Sequence, residues 1–313
     1  MAEKMKALVK EGRRLAVQKI APPALEADGQ VIVQVIMAGL CRTDLYAASG
    51  ILKTPDSLVL GHEFAGVISE SSSNNFKAGD RVVVNPLLSC GHCRHCLNQT
   101  HGACGLAEFI GIDRQGCFAG YINVPAASIY RIPETLPFQS GAYAEPVAAA
   151  LAVLKTGIKP EQKGLMIGAN RFSQLLQKIM RVYGFANIDR FDPIKEGATA
   201  NLEESSYDYV IETLIDSKIL ATMVRVVKPG GIIILKSRQH EEISFKLADL
   251  IKKEPILHVV NYGSFDEAID LLSSGRIEID DLIDGVYPLE QFRKVFSGAQ
   301  GNEALKPFFA PWD

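Results

Sequence analysis

Residues 164–184 read GLMIGANRFSQLLQKIMRVYG. Gly164 to Gly168 (GLMIG) is a short, unbroken apolar run, the pattern of a strand buried on both faces. Ser173 to Tyr183 (SQLLQKIMRVY) then takes up a helical period. The alternation continues downstream. Tyr207 to Glu212, Gly231 to Lys236 (GIIILK) and Ile256 to Asn261 are further apolar strands, with helical patterns between them that include Ser217 to Val227. Lys228-Pro229-Gly230-Gly231 lies between a helix and a strand, as a short connecting loop should. Continuous apolar strands alternating with helices imply a parallel sheet covered on both faces.

Upstream the pattern differs. Gln30 to Met37 (QVIVQVIM), Phe64 to Glu70 and Arg81 to Asn85 (RVVVN) are short β-type runs bounded by Gly, Pro and Asp, and Ser71 to Asn75 is a short polar loop. They predict a β-rich, barrel-like domain with long functional loops. After Tyr262 come an amphipathic helix, Phe265 to Leu272, and short β-like pieces that rejoin the first domain. The expected division is 1–150 completed by 263–313, with 151–262 between them. A chain of 313 residues accommodates two such domains.

Composition excludes several classes. With 47% hydrophobic and 22% charged residues, the chain is neither disordered nor collagen-like. A net charge of −3 gives no basic footprint for nucleic acid. The longest apolar stretch, Ala142 to Leu154, is interrupted by Glu145 and is too short to span a bilayer. The N-terminal MAEKMKALVK lacks a signal-peptide core. A soluble, cytoplasmic protein is expected, with no nucleic-acid or membrane partner.

Four of the six cysteines crowd into one window, Cys90-x2-Cys93-x2-Cys96-x7-Cys104. Without a secretory signal, this reads as a metal site before it reads as disulfides. Four thiolates give the closed tetrahedral shell of structural zinc. An iron–sulfur cluster or a vestigial lobe are the other readings. His92, His95 and His101 lie in the same window and are taken as solvent-facing loop residues, since the thiolates already complete the set.

A second constellation is dispersed. Cys41 sits in GLCRTDLY (39–46), His62 and Glu63 in GHEF (61–64), and Glu145 in AEPVA (144–148). Each alone has a bland explanation: a small buried thiol, a surface His–Glu pair, a helix start. Together they offer thiolate, imidazole and carboxylate, the mixed donor set of a catalytic zinc with one open position.

These segments, with AGDRVVVNP, VKPGG and the tail LLSSGRIEIDDLIDGVYPLEQF, resemble the zinc-containing medium-chain dehydrogenase/reductase family, especially its polyol and threonine dehydrogenase branch. The resemblance covers nearly the whole chain. It implies a GroES-like catalytic domain and a Rossmann-type doubly wound sheet, hence an α/β protein. It implies a catalytic zinc on Cys41, His62 and Glu63 or Glu145, the two glutamates exchanging, with Asp44 supporting the His ligand. It further implies hydride transfer between a secondary alcohol, polyol or amino alcohol and a nicotinamide cofactor. Thr43 would receive the alcohol proton. Tyr46 stands where some relatives end the relay in His, although a phenol with a pKa of about 10 is a poor base. Arg42 stands where some members touch the cofactor pyrophosphate; a solvated surface arginine is its other reading. Family members are commonly dimers or tetramers, and Gly231 to Lys236 is a candidate edge for pairing between copies.

The cofactor loop departs from the family's G-x-G-x-x-G. It reads Gly168-Ala169-Asn170-Arg171-Phe172-Ser173 and keeps only the first glycine. Asn170 is expected to take the left-handed conformation in place of glycine, and Ser173 to add a side chain where helix and strand should touch. Arg171 could compensate by contacting a phosphate. Asp192, 24 residues after Gly168, suits the ribose hydroxyls and favours NAD over NADP, with a helix cap preceding Pro193 as its other role. Arg190 keeps NADP possible. Only 14 residues separate Asp192 from Tyr207, where relatives carry a helix, a strand and a further helix, so this domain is expected to be shortened. A zinc protein of the same fold that has lost NAD turnover and acts as a binding or regulatory subunit is therefore the alternative function.

Overall fold

The structure is a computed structural model that describes residues 4–98, 101–197, 202–301 and 304–312. The chain forms two compact units, one from 1–146 with 265–313 and the other from 147–264.

In the first unit, β1 (Met5–Glu11) pairs antiparallel with β2 (Arg14–Ile20) on one side and with β4 (Ser57–Val59) on the other. The larger sheet is built on β3 (Gln30–Gly39), whose branched residues alternate into the core. β3 pairs antiparallel with β5 (Glu63–Ser71), β9 (Tyr121–Pro125) and β17 (Lys306–Ala310). The order is completed by β6 (Arg81–Val84) and β10 (Ile129–Arg131) beyond β5, and by β16 (Ile283–Pro288) beyond β17. The last strand of the chain thus lies beside the third. Val31, Val33, Val35, Phe64, Phe118 and Phe309 form the centre of its core.

Three features of this unit position side chains used below. Helix α1 (Arg42–Ser49) starts directly after β3 and ends at Gly50, which is left-handed with φ 81°. A lobe carries the short hairpin β7 (Leu87–Leu88) and β8 (Glu108–Phe109) and the helix α2 (Arg94–Leu97). The helices α3 (Phe138–Ala142) and α4 (Ala144–Leu151) follow, and the boundary between units falls inside α4. The C-terminal part of the unit adds α9 (Phe265–Ser273) and α10 (Phe292–Gly301).

The second unit contains a five-stranded, all-parallel sheet in the order β12 (Ile188–Phe191), β11 (Gly164–Ile167), β13 (Tyr207–Glu212), β14 (Val227–Leu235), β15 (Ile256–Val259). Between them run α5 (Arg171–Val182), α6 (Pro193–Glu196), α7 (Ser217–Val226) and α8 (Leu247–Lys253). α5 is amphipathic, burying Leu175, Leu176, Ile179 and Met180, and the chain leaves it through the left-handed Gly184. A doubly wound sheet ordinarily runs 3-2-1-4-5-6. Here β12 stands in the place of the second strand and nothing flanks it among the described residues. No described strand corresponds to the outermost one on that side.

Two expectations are corrected. Lys228-Pro229-Gly230-Gly231 is no free loop. It bulges out within β14 between Val227, paired with Tyr207, and Ile232, paired with Tyr209. β14 is also not an edge, because β13 and β15 satisfy its two sides. The free edges among the described residues are β12 and β15, so a strand pairing between copies through Gly231 to Lys236 is ruled out by backbone hydrogen bonding already in use.

Candidate active site

Cys41 is the N-cap residue of α1, at the point where β3 ends. Asp44, at the third position of that helix, sends Oδ2 back to accept the backbone N–H of Cys41 at 2.9 Å. Its other oxygen, Oδ1, lies 3.0 Å from Nδ1 of His62. Asp44 and His62 are both fully buried. One carboxylate thereby fixes the backbone of one sulfur donor and the orientation of one imidazole. Burial alone would lower the pKa of His62, but the charge and hydrogen bond of Asp44, aided by Cys41, raise it well above the ordinary value.

His62 precedes β5, and the turn before it is tight. Gly61 has φ 96°, and a Cβ there would come within 2.6 Å of the Phe118 ring and 2.9 Å of the Cys117 sulfur. No other residue type fits at that position. Ligand atoms of Cys41, His62 and Glu63 lie within 4.8 Å of one another. Nε2 of His62 is buried and has no hydrogen-bond partner among the described residues. An imidazole held through Nδ1, with Nε2 dry and aimed at a sulfur and a carboxylate, is the donor arrangement of a metal ligand. The residues fit a zinc ion on these grounds.

The other site residues distribute as follows. Thr43 is buried on α1, with Oγ1 at 3.7 Å from Cys41 Sγ. Arg42 and Tyr46 are half-buried on the same helix. Glu145 is buried in the first turn of α4 and is not among the three residues whose donor atoms cluster. Sequence reasoning missed Lys306. It is 2% exposed on β17 and its Nζ pairs with Glu63 Oε2. A lysine 243 positions away leaves no local signal.

In the lobe, the sulfurs of Cys90, Cys93, Cys96 and Cys104 also converge within 4.8 Å. Cys90 and Cys96 Sγ are 3.7 Å apart, Cys93 and Cys96 Sγ 3.5 Å. Four sulfurs placed tetrahedrally at 2.3 Å from an ion would sit about 3.8 Å apart, whereas a disulfide needs about 2.05 Å. All are free thiols. The N–H groups of His92 and then Cys93 hold the Cys90 thiol down to about 6, so it is an anion at neutral pH. His92 and His95 are exposed; the side chain of His101 lies outside the described residues. Cys117 belongs to neither cluster. It is fully buried, and burial, then the charges of Asp44 and Glu63, push its thiol well above the usual range.

The loop at the start of α5 differs from its expected form. Gly168 is left-handed at φ 116°, with a Cβ position only 2.2 Å from Thr213 Oγ1. Asn170 is not left-handed. It is extended, at φ −92° and ψ 173°, and its side chain accepts the N–H of Ser173 as the helix cap. Its amide nitrogen donates to Thr213 O at 3.1 Å and Oγ1 at 3.2 Å. Ser173 does not wedge helix from strand, because its hydroxyl turns back to donate to Asn170 O at 2.7 Å. Arg171 is half-buried at the first helical position. Asp192 follows β12, and its Oδ1 accepts the N–H of Ile194, with Pro193 opening α6. The capping role of Asp192 is therefore realised. Arg190 lies beside it on β12, 3.4 Å from Gln177 Oε1.

One unit with a Cys/His/Glu cluster and a four-cysteine lobe, and a second with a parallel, doubly wound type of sheet, make up the fold of an alcohol-dehydrogenase-type protein. Residues 27–134 match the alcohol dehydrogenase GroES-like domain. A protein provisionally named D-xylulose reductase A, from Aspergillus clavatus, is 28% identical over 92% of this chain and 91% of its own. A provisionally named zinc-binding dehydrogenase from Sinorhizobium meliloti, crystallised with NADP, is 26% identical, with a TM-score of 0.88 over 98% of this chain and 99% of its own. L-idonate 5-dehydrogenase of Escherichia coli, at 21% identity, shares the fold with a TM-score of 0.88, covering 98% of each chain. These likenesses support a protein of the medium-chain dehydrogenase/reductase type. No helix among the described residues is long and apolar enough to cross a membrane.

Proposed function

We propose that this chain is a zinc-dependent oxidoreductase that transfers a hydride between a secondary alcohol, polyol or amino alcohol and a nicotinamide cofactor, NAD in preference to NADP. The observation that carries the proposal is the His62 imidazole, tied to Asp44 through Nδ1 while Nε2 is buried, without a partner among the described residues, beside Cys41 and Glu63. The choice of a polyol rests on the names of relatives such as D-xylulose reductase A.

Cys41, His62 and either Glu63 or Glu145 would hold the catalytic ion, the two carboxylates exchanging. A bound zinc ion supplies Lewis acidity that lowers the pKa of an alcohol hydroxyl. Asp44 keeps the His62 ring in the tautomer whose Nε2 lone pair faces the cluster. Thr43 would accept the alcohol proton at Oγ1 while passing its own hydroxyl proton to Tyr46, which would release its proton in turn to solvent. Cys90, Cys93, Cys96 and Cys104 would hold a second, structural zinc. Gly168, Asn170, Arg171 and Asp192 are the cofactor residues of the second unit, and Arg42 that of the first. The positive end of the α5 dipole favours a pyrophosphate there. The protein is cytoplasmic and acts as a homodimer or homotetramer on a small-molecule alcohol or carbonyl substrate.

A second reading, a zinc protein without NAD turnover, draws on β12 standing as a bare edge on the side where the adenosine end would lie. Metal analysis with NADH titration tests both. The enzyme reading expects two zinc ions per chain, the one at Cys41/His62 lost first to a mild chelator, and saturable NADH binding. Zinc without any NADH binding would leave only the second reading. Metal-free cysteines in a folded protein would sink both.

A further inference from the structure

Lys306 occupies a closed compartment. Its Nζ pairs with Glu63 Oε2, lies 3.4 Å from the Leu40 carbonyl, and sits 5.5 Å from the centre of the Tyr143 ring. β17 brings it there by pairing with the end of β3, where Phe308 faces Gly39. The compartment has no spare room. A Cβ on Gly39 would fall 2.8 Å from Glu63 Oε2, 3.2 Å from Phe308 and 3.4 Å from Lys306 Cδ. Glu63 also has a carboxylate oxygen within 4.8 Å of the donor atoms of Cys41 and His62. One carboxylate is therefore claimed by two cations, a resident ammonium and any ion bound at the cluster.

We propose that Lys306 is a positioning residue that holds Glu63 back as a metal ligand and so keeps the Cys41/His62 site exchangeable. This rests on the metal-site reading above. A thiolate and a carboxylate together neutralise a divalent ion. A fixed ammonium on that carboxylate adds a positive charge in a poorly screened place and withdraws electron density from the ligating oxygen. Remove the ammonium, and Glu63 becomes a full ligand.

The test uses the full chain, with zinc and cobalt(II) as probes. Lys306→Met should tighten zinc at this site by about tenfold or more in chelator competition. It should also shift the cobalt(II) absorption attributable to this site, because the ligand set changes. In the Glu63→Gln background the same substitution should change affinity by less than about threefold and leave the spectrum in place. Lys306→Gln, neutral but still a hydrogen-bond donor, should tighten zinc in the same direction. Unchanged affinity and spectrum in either folded variant would overturn the proposal, as would equal tightening with and without Glu63. If neither single variant folds, folding of Glu63→Gln/Lys306→Met supports the pairing, and failure of that double variant counts against it. Wild-type protein that loads the four-cysteine lobe but takes no ion at Cys41/His62 refutes the site reading itself, a result distinct from a loaded site insensitive to Lys306.

Discussion

Replacing Asn170 by alanine should destabilise the second unit by about 2–3 kcal/mol. Two contributions of similar size make up this figure. Loss of the cap on the Ser173 N–H costs about 1 kcal/mol. Loss of the two hydrogen bonds from the amide to Thr213, at 3.1 and 3.2 Å, costs a further ~1–2 kcal/mol. Asn170→Asp keeps the cap acceptor but loses both donors, and should fall between wild type and alanine. Asn170→Gly is the more telling variant. Glycine substitutes for Asn at a cap at a cost of only a few tenths of a kcal/mol, so its loss, about 1–2 kcal/mol, reports the Thr213 bonds. It has no left-handed strain to relieve, since Asn170 is extended at φ −92°. Its NADH affinity should therefore not improve. Urea denaturation followed by far-UV circular dichroism, with NADH titration alongside, measures both quantities. Asn170→Ala within ~0.5 kcal/mol of wild type, against the summed cap and bond losses, would refute the capping argument. A tenfold tighter NADH complex in Asn170→Gly would show that the loop needs a glycine conformation after all.

Three further outcomes are expected. In metal-free protein Cys90 should be alkylated by iodoacetamide with a midpoint near pH 6, and metal uptake by the lobe should weaken as pH falls through that value; a midpoint above 8 would contradict the thiolate assignment. Cys117 should stay unmodified at pH 8 in the folded protein, and Cys117→Ala should keep the full metal content with a modest loss of stability, whereas loss of a zinc equivalent would make it a ligand. Burial pushes the Asp208 pKa up, but Lys228 at 2.7 Å and the Lys163 N–H outweigh it, so the folded value is depressed. Its stabilisation is present above the unfolded carboxyl pKa and lost as pH falls through the folded one; Asp208→Asn should flatten the acid limb of the stability–pH curve, and an unchanged limb would refute the pairing's role.

Some of this protein was written locally. Continuous apolar runs such as Gly164 to Ile167 announce buried parallel strands because both faces of such a strand are covered. The Cys90-x2-Cys93-x2-Cys96 spacing suffices to gather three sulfurs, because Cys93 caps α2 and one helical turn brings Cys96 back beside it. Asp192-Pro193 describes its own cap.

What sequence alone determined, then, was everything that depends on neighbours within a few residues: strand and helix periods, the four-thiol lobe, and the donor types of the second cluster. The tertiary structure decided what depends on distant segments meeting. It set Asp44 on both Cys41 and His62, and brought Lys306 from the end of the chain onto Glu63. It placed β14 inside the sheet and β15 at its edge. It also gave Asn170 an extended backbone, because Thr213, 43 residues on, accepts its amide. The reason is physical: local dihedral preference and hydrophobic period are properties of adjacent residues, whereas a buried charge or amide is placed by whichever remote partner satisfies it.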